Sequence, residues 1–160
     1  MSPPSRHAIC TESLLNSHAR HIDRVIDHDH TEAPLVPSDH MMVRRGVRCA
    51  GAHLILDLYG GKRLDDISYI EETLVRCVEA AGATLLHIHL HHFDDNSGVS
   101  GVAVLAESHV SIHSWPEHDY AAFDIFMCGD TQPELCVDIL RDAFAADRVE
   151  VSEHLRGKGL

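Results

Sequence analysis

The feature that most constrains this chain is a series of short apolar segments that runs from Cys49 nearly to the C-terminus. The clearest segment is residues 84–93, where apolar residues at 86, 88 and 90 alternate with histidines at 87, 89 and 91. This alternation is the period of a β-strand with two different faces. Similar strand-like segments lie at residues 53–59, 99–106, 109–113, 120–127 and 148–153.

Two segments have helical spacing instead. The first begins near Asp65 and Asp66 and ends near Gly82, with apolar residues recurring at Ile67, Ile70, Leu74, Val75 and Val78. The second follows residues 131–134, which match a capping box. The order β-α-β-β-β-α-β with short connections predicts an α+β two-layer sandwich, in which both helices cover one face of a mostly antiparallel sheet.

The other face of that sheet predicts a partner. Two helices cover only one face, yet a segment such as residues 102–105 is apolar on both sides. We therefore expect the sheets of two copies to pack against each other in a homodimer.

Composition and charge exclude several classes of protein. At 160 residues the chain is long enough for one compact domain. Its formal net charge of -12 disfavours nucleic acid as a partner, because binding phosphates needs a basic surface. No apolar run of about 18 residues and no secretion signal is present, so we expect a cytoplasmic protein without a membrane partner. The five cysteines form no CxxC pair, which indicates reduced thiols and not a disulfide framework or a zinc ribbon.

Residues 1–48 differ from the rest of the chain. They contain four prolines and several histidines but no sustained apolar periodicity. We predict a flexible N-terminal extension over residues 1–48, with a short helix near residues 14–26, and a single folded domain over residues 49–160.

The chemistry is concentrated in residues 98–129, where Ser108, His113 and Cys128 stand out among apolar residues. Serine, histidine and a thiol are the components of nucleophilic and proton-transfer chemistry. The pattern alone also has a structural interpretation, in which Ser108 caps a turn and Cys128 fills the core.

A family resemblance favours the chemical interpretation. Residues 106–117 (AESHVSIHSWPE) and 122–129 (AFDIFMCG) resemble the processing and active-site region of the prokaryotic S-adenosylmethionine decarboxylase proenzymes. Residues 53–60 and 92–102 match that family too, so the resemblance covers roughly residues 51–155.

The resemblance implies a precursor that cuts its own backbone between Glu107 and Ser108. The Ser108 hydroxyl would attack the Glu107 carbonyl carbon to form an ester, and elimination followed by loss of ammonia would leave a covalent pyruvoyl group at position 108. By resemblance, Ser100 donates to the developing oxyanion and His113 is the base for elimination. The products would be a beta chain of residues 1–107 and an alpha chain of residues 108–160, paired in a dimer of cleaved protomers.

The same resemblance implies the reaction. The pyruvoyl group would form a Schiff base with the substrate amine and accept electrons as carbon dioxide leaves, so that no external cofactor is needed. Cys128 is the implied proton donor to the carbanion, since an ordinary thiol stays protonated at neutral pH. The implied product is decarboxylated S-adenosylmethionine, the aminopropyl donor for spermidine.

Two further residues are candidate substrate contacts. Phe93 offers an aromatic plane on which an adenine can stack. Glu117 offers a carboxylate for the ribose hydroxyls or the sulfonium, although an acid that follows Pro116 is equally typical of a plain surface position.

Two other functions stay open at this point. A pyruvoyl-dependent arginine or ornithine decarboxylase would use the same scaffold, because the electron sink is indifferent to what lies beyond the α-carbon. A non-catalytic, histidine-rich metal-binding protein would use His87, His89 and His91, although interface or pocket histidines are the simpler explanation of that strand. We assign no metal site.

The spacing within the motif poses a geometric problem. Ser108 and His113 are five residues apart, an odd number, so a regular strand would place them on opposite faces. We therefore expect Ser108 to lie at a turn or bulge where the strand breaks.

Overall fold

The computed structural model describes residues 21–25, 40–94 and 97–160, with only the backbone described for residues 21–25. These residues form nine strands, two helices and one short 3-10 turn. In chain order the elements are β1 (His21–Val25), β2 (Met42–Arg44), β3 (Val47–Cys49), β4 (Gly51–Tyr59), α1 (Ile67–Ala80), β5 (Leu85–His92), β6 (Val99–Leu105), β7 (Ser108–Trp115), the 3-10 turn (Pro116–His118), β8 (Tyr120–Met127), α2 (Leu135–Ala143) and β9 (Arg148–Arg156).

Seven strands form one antiparallel sheet in the order β1-β5-β6-β7-β8-β4-β9, and β2 pairs with β3 in a separate hairpin. The predicted α+β sandwich is confirmed. The predicted order counts three strands between the helices, although four strand-like segments are recognised there, and the structure has a strand at each of the four. The two-residue turn at residues 106–107 makes β6 and β7 separate strands that pair with each other.

The helices and the covered face of the sheet share one apolar core. Alternate residues of each strand point into it, as the two-residue period of a strand requires. From β8 the core receives Phe123 and Ile125, and from β4 it receives Leu56 and Leu58, all at most 1% exposed. From α1 it receives residues at helical spacing, namely Ile67, Ile70, Leu74, Cys77 and Val78.

The two helices begin differently. Asp66 caps α1 as predicted, since its carboxylate accepts a hydrogen bond from the Tyr69 amide at 3.1 Å. The capping box predicted for α2 is wrong. Glu134 is the N-cap without a side-chain cap bond, and the Thr131 hydroxyl instead donates to the Cys128 carbonyl at 2.8 Å.

The opposite face of the sheet, which we call the open face, has a different character. Its aliphatic and aromatic side chains stay partly exposed, with Ile55 at 41%, Val104 at 39% and Trp115 at 38%. Most of its other residues are polar or aromatic: His53, Asp57, His87, His89, His91, His109, His113, Tyr120, Asp124 and Phe126. The dimer predicted for this face stays a prediction.

Part of the N-terminal extension has regular structure. Residues 21–25 form a strand on β5, so this stretch is not the helix predicted near residues 14–26, the remainder of which lies outside the described residues. The β2–β3 hairpin is ordered because Met42 and Cys49 are buried with Ala52 in a second small apolar cluster. The remaining residues of 1–39, for which flexibility is predicted, lie outside the described residues. Neither α1 nor α2 has the length and apolar character of a bilayer-spanning helix.

Candidate active site

Residues 106 and 107, which we call the cleavage turn, connect β6 to β7. Leu105 pairs with Ser108 across the turn, and the Ala106 amide donates to the Thr84 carbonyl at 2.9 Å. Glu107 has φ +63°, the left-handed region that a residue with a Cβ rarely adopts. Such a conformation costs about 1 kcal/mol or more and persists only where the surroundings impose it. Ser108 follows as the first residue of β7, at a turn as predicted.

The Cys128 thiol lies against both sides of the Glu107–Ser108 peptide. Its sulfur is 3.3 Å from the Glu107 carbonyl oxygen and 3.5 Å from the Ser108 Oγ. Ser108 is 8% exposed and Cys128 is 9% exposed, so bulk water has little access to either group. Of the three residues that the sequence predicts to come together, the structure brings Ser108 and Cys128 into contact, whereas His113 lies elsewhere. Cys128 reaches the turn because β8, which pairs with β7, ends at Met127 beside the start of β7.

Ser100 and His113, which we call the distal pair, lie elsewhere. They face each other across β6 and β7, with the Ser100 Oγ 2.9 Å from the His113 Nδ1. Five residue steps along β7 separate His113 from Ser108, which is roughly 16 Å at about 3.3 Å per residue. The strand alternates regularly from Ser108 onward, so the two side chains are on opposite faces. The predicted turn at Ser108 lies before the strand, so it does not bring the two side chains onto one face.

The two candidate substrate contacts lie at the distal end of the sheet. Phe93 directly follows β5 and is 44% exposed, with its ring centroid 4.7 Å from that of His91. Glu117 is exposed in the 3-10 turn just after β7. Because β5 ends and β6 begins at this edge, Phe93 and Glu117 are at the same end as the distal pair. Within one chain, this whole group is separated from the cleavage turn.

A row of rings extends from the distal pair along the open face. The ring centroids of Trp115 and Tyr120 are 5.3 Å apart, and those of Tyr120 and Tyr59 are also 5.3 Å apart. The Tyr120 hydroxyl donates to Asp57, and its burial together with this bond raises the pKa of Tyr120 to about 12. Tyr120 is therefore a neutral hydrogen-bond donor at physiological pH.

A second polar group on the open face surrounds His109. Its ring lies 6.2 Å from His53 and 5.9 Å from Phe126, and His53 is 3.3 Å from Asp124. Burial, and then the neighbouring His53, lower the pKa of His109, so that His109 is held neutral.

Two contacts carried no signal in the sequence. Ser114 is 6% exposed, and its Oγ accepts from the Val99 amide at 2.8 Å and donates to the Leu64 carbonyl at 2.7 Å. His40, in the predicted flexible extension, places its Nδ1 2.8 Å from the Glu107 Oε2. Ser114 lies within the motif at residues 106–117, but its bonds depend on strand register, whereas His40 lies outside every motif and makes a long-range contact.

The metal-binding alternative receives no support from the geometry. Within residues 40–94 and 97–160, no three His, Cys, Asp or Glu side chains are arranged to hold a metal ion. His87 and His89 stack on each other along β5, with ring centroids 6.4 Å apart.

Three kinds of comparison with known proteins point to the same family. The sequence profile described as S-adenosylmethionine decarboxylase matches residues 52–157. A protein from Thermomicrobium roseum named S-adenosylmethionine decarboxylase proenzyme is 41% identical over 112 residues, which are 69% of this chain and 97% of that protein. A protein of the same name from Methanococcus vannielii is 48% identical over 110 residues, 67% of this chain and 89% of that protein. The crystal structure of the adenosylmethionine decarboxylase from Aquifex aeolicus has a TM-score of 0.60 and 33% identity, covering 68% of this chain and 92% of that one.

Proposed function

Because this chain belongs to the S-adenosylmethionine decarboxylase family, we propose that it cleaves its own Glu107–Ser108 bond and decarboxylates S-adenosylmethionine with a pyruvoyl group made from Ser108. The enzyme class, a carboxy-lyase acting on S-adenosylmethionine, rests on the family. The cleavage position and the role of each residue are carried over from the resemblance, and the geometry of the cleavage turn supports the roles of Ser108 and Cys128. The family matches give no support to the arginine, ornithine or metal-binding alternatives.

One observation carries the proposal: the Cys128 thiol is 3.3 Å from the Glu107 carbonyl oxygen, while the Ser108 hydroxyl is the adjacent nucleophile. A donor at this oxygen polarises the carbonyl and stabilises the negative charge that develops when the hydroxyl attacks. The left-handed backbone of Glu107 raises the energy of the uncut chain, so the rearrangement releases strain. Burial of the site strengthens the thiol–carbonyl interaction by excluding water.

The cleavage can be followed atom by atom. The Ser108 Oγ bonds to the Glu107 carbonyl carbon, the C–N bond breaks, and the freed nitrogen takes up the hydroxyl proton. A base then removes the Ser108 α-proton. The bond between the Ser108 Cβ and Oγ breaks, and the Oγ leaves as part of the Glu107 carboxylate. The resulting dehydroalanine tautomerises, and water replaces the nitrogen, which leaves as ammonia.

The residues beside position 108 fit the pyruvoyl ketone that this series of steps would produce. A pyruvoyl group supplies a carbonyl that condenses with an amine and accepts electrons from a breaking carbon–carboxylate bond. Cys128 remains beside position 108 after the cut and holds a proton at its Sγ, which suits it to protonate the substrate carbon. Phe93 and Glu117 are proposed to hold the adenine and the ribose or sulfonium.

The distal pair needs a second copy of the chain to act at this site. Within one protomer His113 is roughly 16 Å from Ser108 and on the other face of β7. A dimer with two-fold symmetry that packs one open face on another brings the partner's His113 and the partner's Ser100 towards the first protomer. We propose that each site combines Ser108 and Cys128 of one protomer with the distal pair of the other. The product would serve spermidine synthesis in the cytoplasm.

The direct test is the intact mass of the purified protein under denaturing conditions. We expect two fragments that together account for the chain, broken between Glu107 and Ser108, with a ketone in place of the second fragment's N-terminal amine. Ser108→Ala should stay whole, whereas Ser111→Ala, on the open face of the same strand, should be cut like the wild type. A wild-type chain that stays whole with an unmodified serine would refute the proposal.

Substrate choice is tested separately on the cleaved protein. Release of carbon dioxide from S-adenosylmethionine, arginine and ornithine should be measured side by side. We expect turnover of the first alone, and preferential turnover of either amino acid would contradict the assignment.

A further inference from the structure

The N-terminal segment of residues 40–49 contacts the cleavage turn although it precedes the part of the chain that matches the family. The family match begins at residue 52. The Thermomicrobium roseum protein is matched over 97% of its length by 112 residues, so it has almost nothing that corresponds to the remainder of this chain. A contribution of this segment to the site would therefore be a property of this chain beyond the shared domain.

Two contacts join the segment to the site. The His40 Nδ1 is 2.8 Å from the Glu107 Oε2, a distance at which the imidazole donates a hydrogen bond to the carboxylate. The Gly129 amide donates to the His40 carbonyl oxygen at 3.0 Å. One residue thus contacts both the residue before the proposed cut and the residue after Cys128.

The hairpin that follows fixes the position of His40. Met42 and Cys49 are buried at 4% and 0% exposure and pack on Ala52 at the start of β4. Arg44 pairs with Glu153 on β9 at 2.8 Å and with Glu134 before α2 at 3.0 Å. These two carboxylates raise the pKa of Arg44, so the cation is retained at physiological pH.

We infer that His40 is a positioning residue for self-cleavage, which holds the Glu107 side chain and keeps the cleavage turn against Cys128. The inference rests on the proposed function. Glu107 has a left-handed backbone that its contacts must maintain, and its side chain is half exposed. The His40 contact restricts that side chain, and the Cys128 Sγ is 3.9 Å from the same Oε2. Loss of the contact would let the turn depart from the geometry in which the thiol reaches the scissile carbonyl.

The test compares the rate of self-cleavage in three full-length variants made by cell-free synthesis. His40→Leu removes the donor, and His40→Asn places an amide donor near the position of Nδ1. His118→Gln, an exposed histidine in the 3-10 turn, is the matched control. An exposed pair of this kind predicts cleavage that is about two- to fivefold slower in His40→Leu. His40→Asn should stay within about twofold of the wild type, and the control should match it.

Each outcome decides something. Equal rates in His40→Leu and the wild type would overturn the inference and leave the proposed function intact. Equal slowing in His40→Leu and His40→Asn would also overturn it, because the retained donor of Asn would then make no difference and the role of His40 would be packing alone. A wild-type chain that is never cut would refute the proposed function itself. Because His40 is more than half exposed, melting temperatures should be unchanged in all variants, which separates positioning from folding.

Discussion

The two faces of the central sheet are built from the same strands, yet they carry opposite chemistry. On the covered face, Phe123 and Ile125 of β8 are at most 1% exposed within a continuous apolar core. On the open face, the next residues of the same strand are Asp124 and Phe126, which contact histidines. The two-residue period of a strand makes this division possible. It lets a chain of this size build an apolar core and a polar, aromatic surface from one set of strands.

The candidate site is divided in the same way. Ser108 and Cys128 lie at one end of the sheet, next to the buried face. Ser100 and His113 lie at the other end, on the open face. This separation supports the proposal that residues of one motif, only five positions apart, act in different protomers.

The largest effect should come from mixing two inactive variants. Ser108→Ala and His113→Ala should each fail to give active enzyme when produced alone. Produced together, half of the randomly assembled dimers are mixed, and each mixed dimer has one site with both residues intact. Decarboxylase activity should therefore recover to about a quarter of the wild-type value. Absence of recovery, with mixed dimers shown to form, would mean that the distal pair does not act across the interface.

The next largest effect is expected on the free energy of unfolding, in a comparison of two phenylalanines of β8. Phe123→Ala should lower the free energy of unfolding by about 3–5 kcal/mol, because a buried ring leaves a cavity. Phe126→Ala should cost less than half of that, since its ring is only partly buried. Urea unfolding measures both values. If a second copy covers the open face, the cost of Phe126→Ala should grow with protein concentration and that of Phe123→Ala should not.

A smaller effect on stability is expected in a comparison of two serines of β7. Ser114→Ala should cost about 1–3 kcal/mol, because the Val99 amide and the Leu64 carbonyl both lose a buried partner. Ser111→Ala on the open face should cost less than about 0.5 kcal/mol, since its 3.3 Å bond to Asp124 is accessible to water. Thermal unfolding of the two variants gives the comparison, and equal losses would contradict the assignment of faces.

The smallest effect concerns pH and the open face. Burial lowers the pKa of His109 in the folded chain, whereas in the unfolded chain it titrates near 6.5. The unfolded state therefore binds more protons as the pH falls below about 6.5, and the free energy of unfolding decreases. His109→Gln should flatten this decrease. Unfolding curves between pH 7.5 and about 5 measure it, with His118→Gln as the control that keeps the wild-type slope.

Local pattern was sufficient for most of the fold. The alternation in residues 84–93 predicted β5, and Asp66 was recognised as the start of α1 because both depend on near neighbours. The capping box of α2 failed because the helix begins at Leu135 with Glu134 as its N-cap, so Thr131 lies in the loop after β8, where its hydroxyl donates to the Cys128 carbonyl. The order of strands in the sheet depends on pairings between distant segments, which local periodicity does not encode.

The sequence likewise predicted part of the candidate site and missed part of it. The positions of Ser108 and Cys128 came from the motif, and antiparallel pairing of β7 with β8 brings them together. The turn expected at Ser108 is present, but it precedes β7, so Ser108 and His113 still lie on opposite faces of that strand. His40 was missed because its only link to Glu107 is spatial, across 67 positions of sequence without a recurring pattern.

The position of β4 in the sheet has a consequence for a chain cut at the cleavage turn. β4 belongs to the first piece, yet it is inserted between β8 and β9 of the second. The two pieces are therefore interleaved and not side by side, and they cannot part without breaking the β6–β7, β8–β4 and β4–β9 pairings. A cut at the cleavage turn would leave all of these pairings in place. Exchange of pieces between molecules would require these strand pairings to open. Each first piece would therefore stay with the second piece from the same chain.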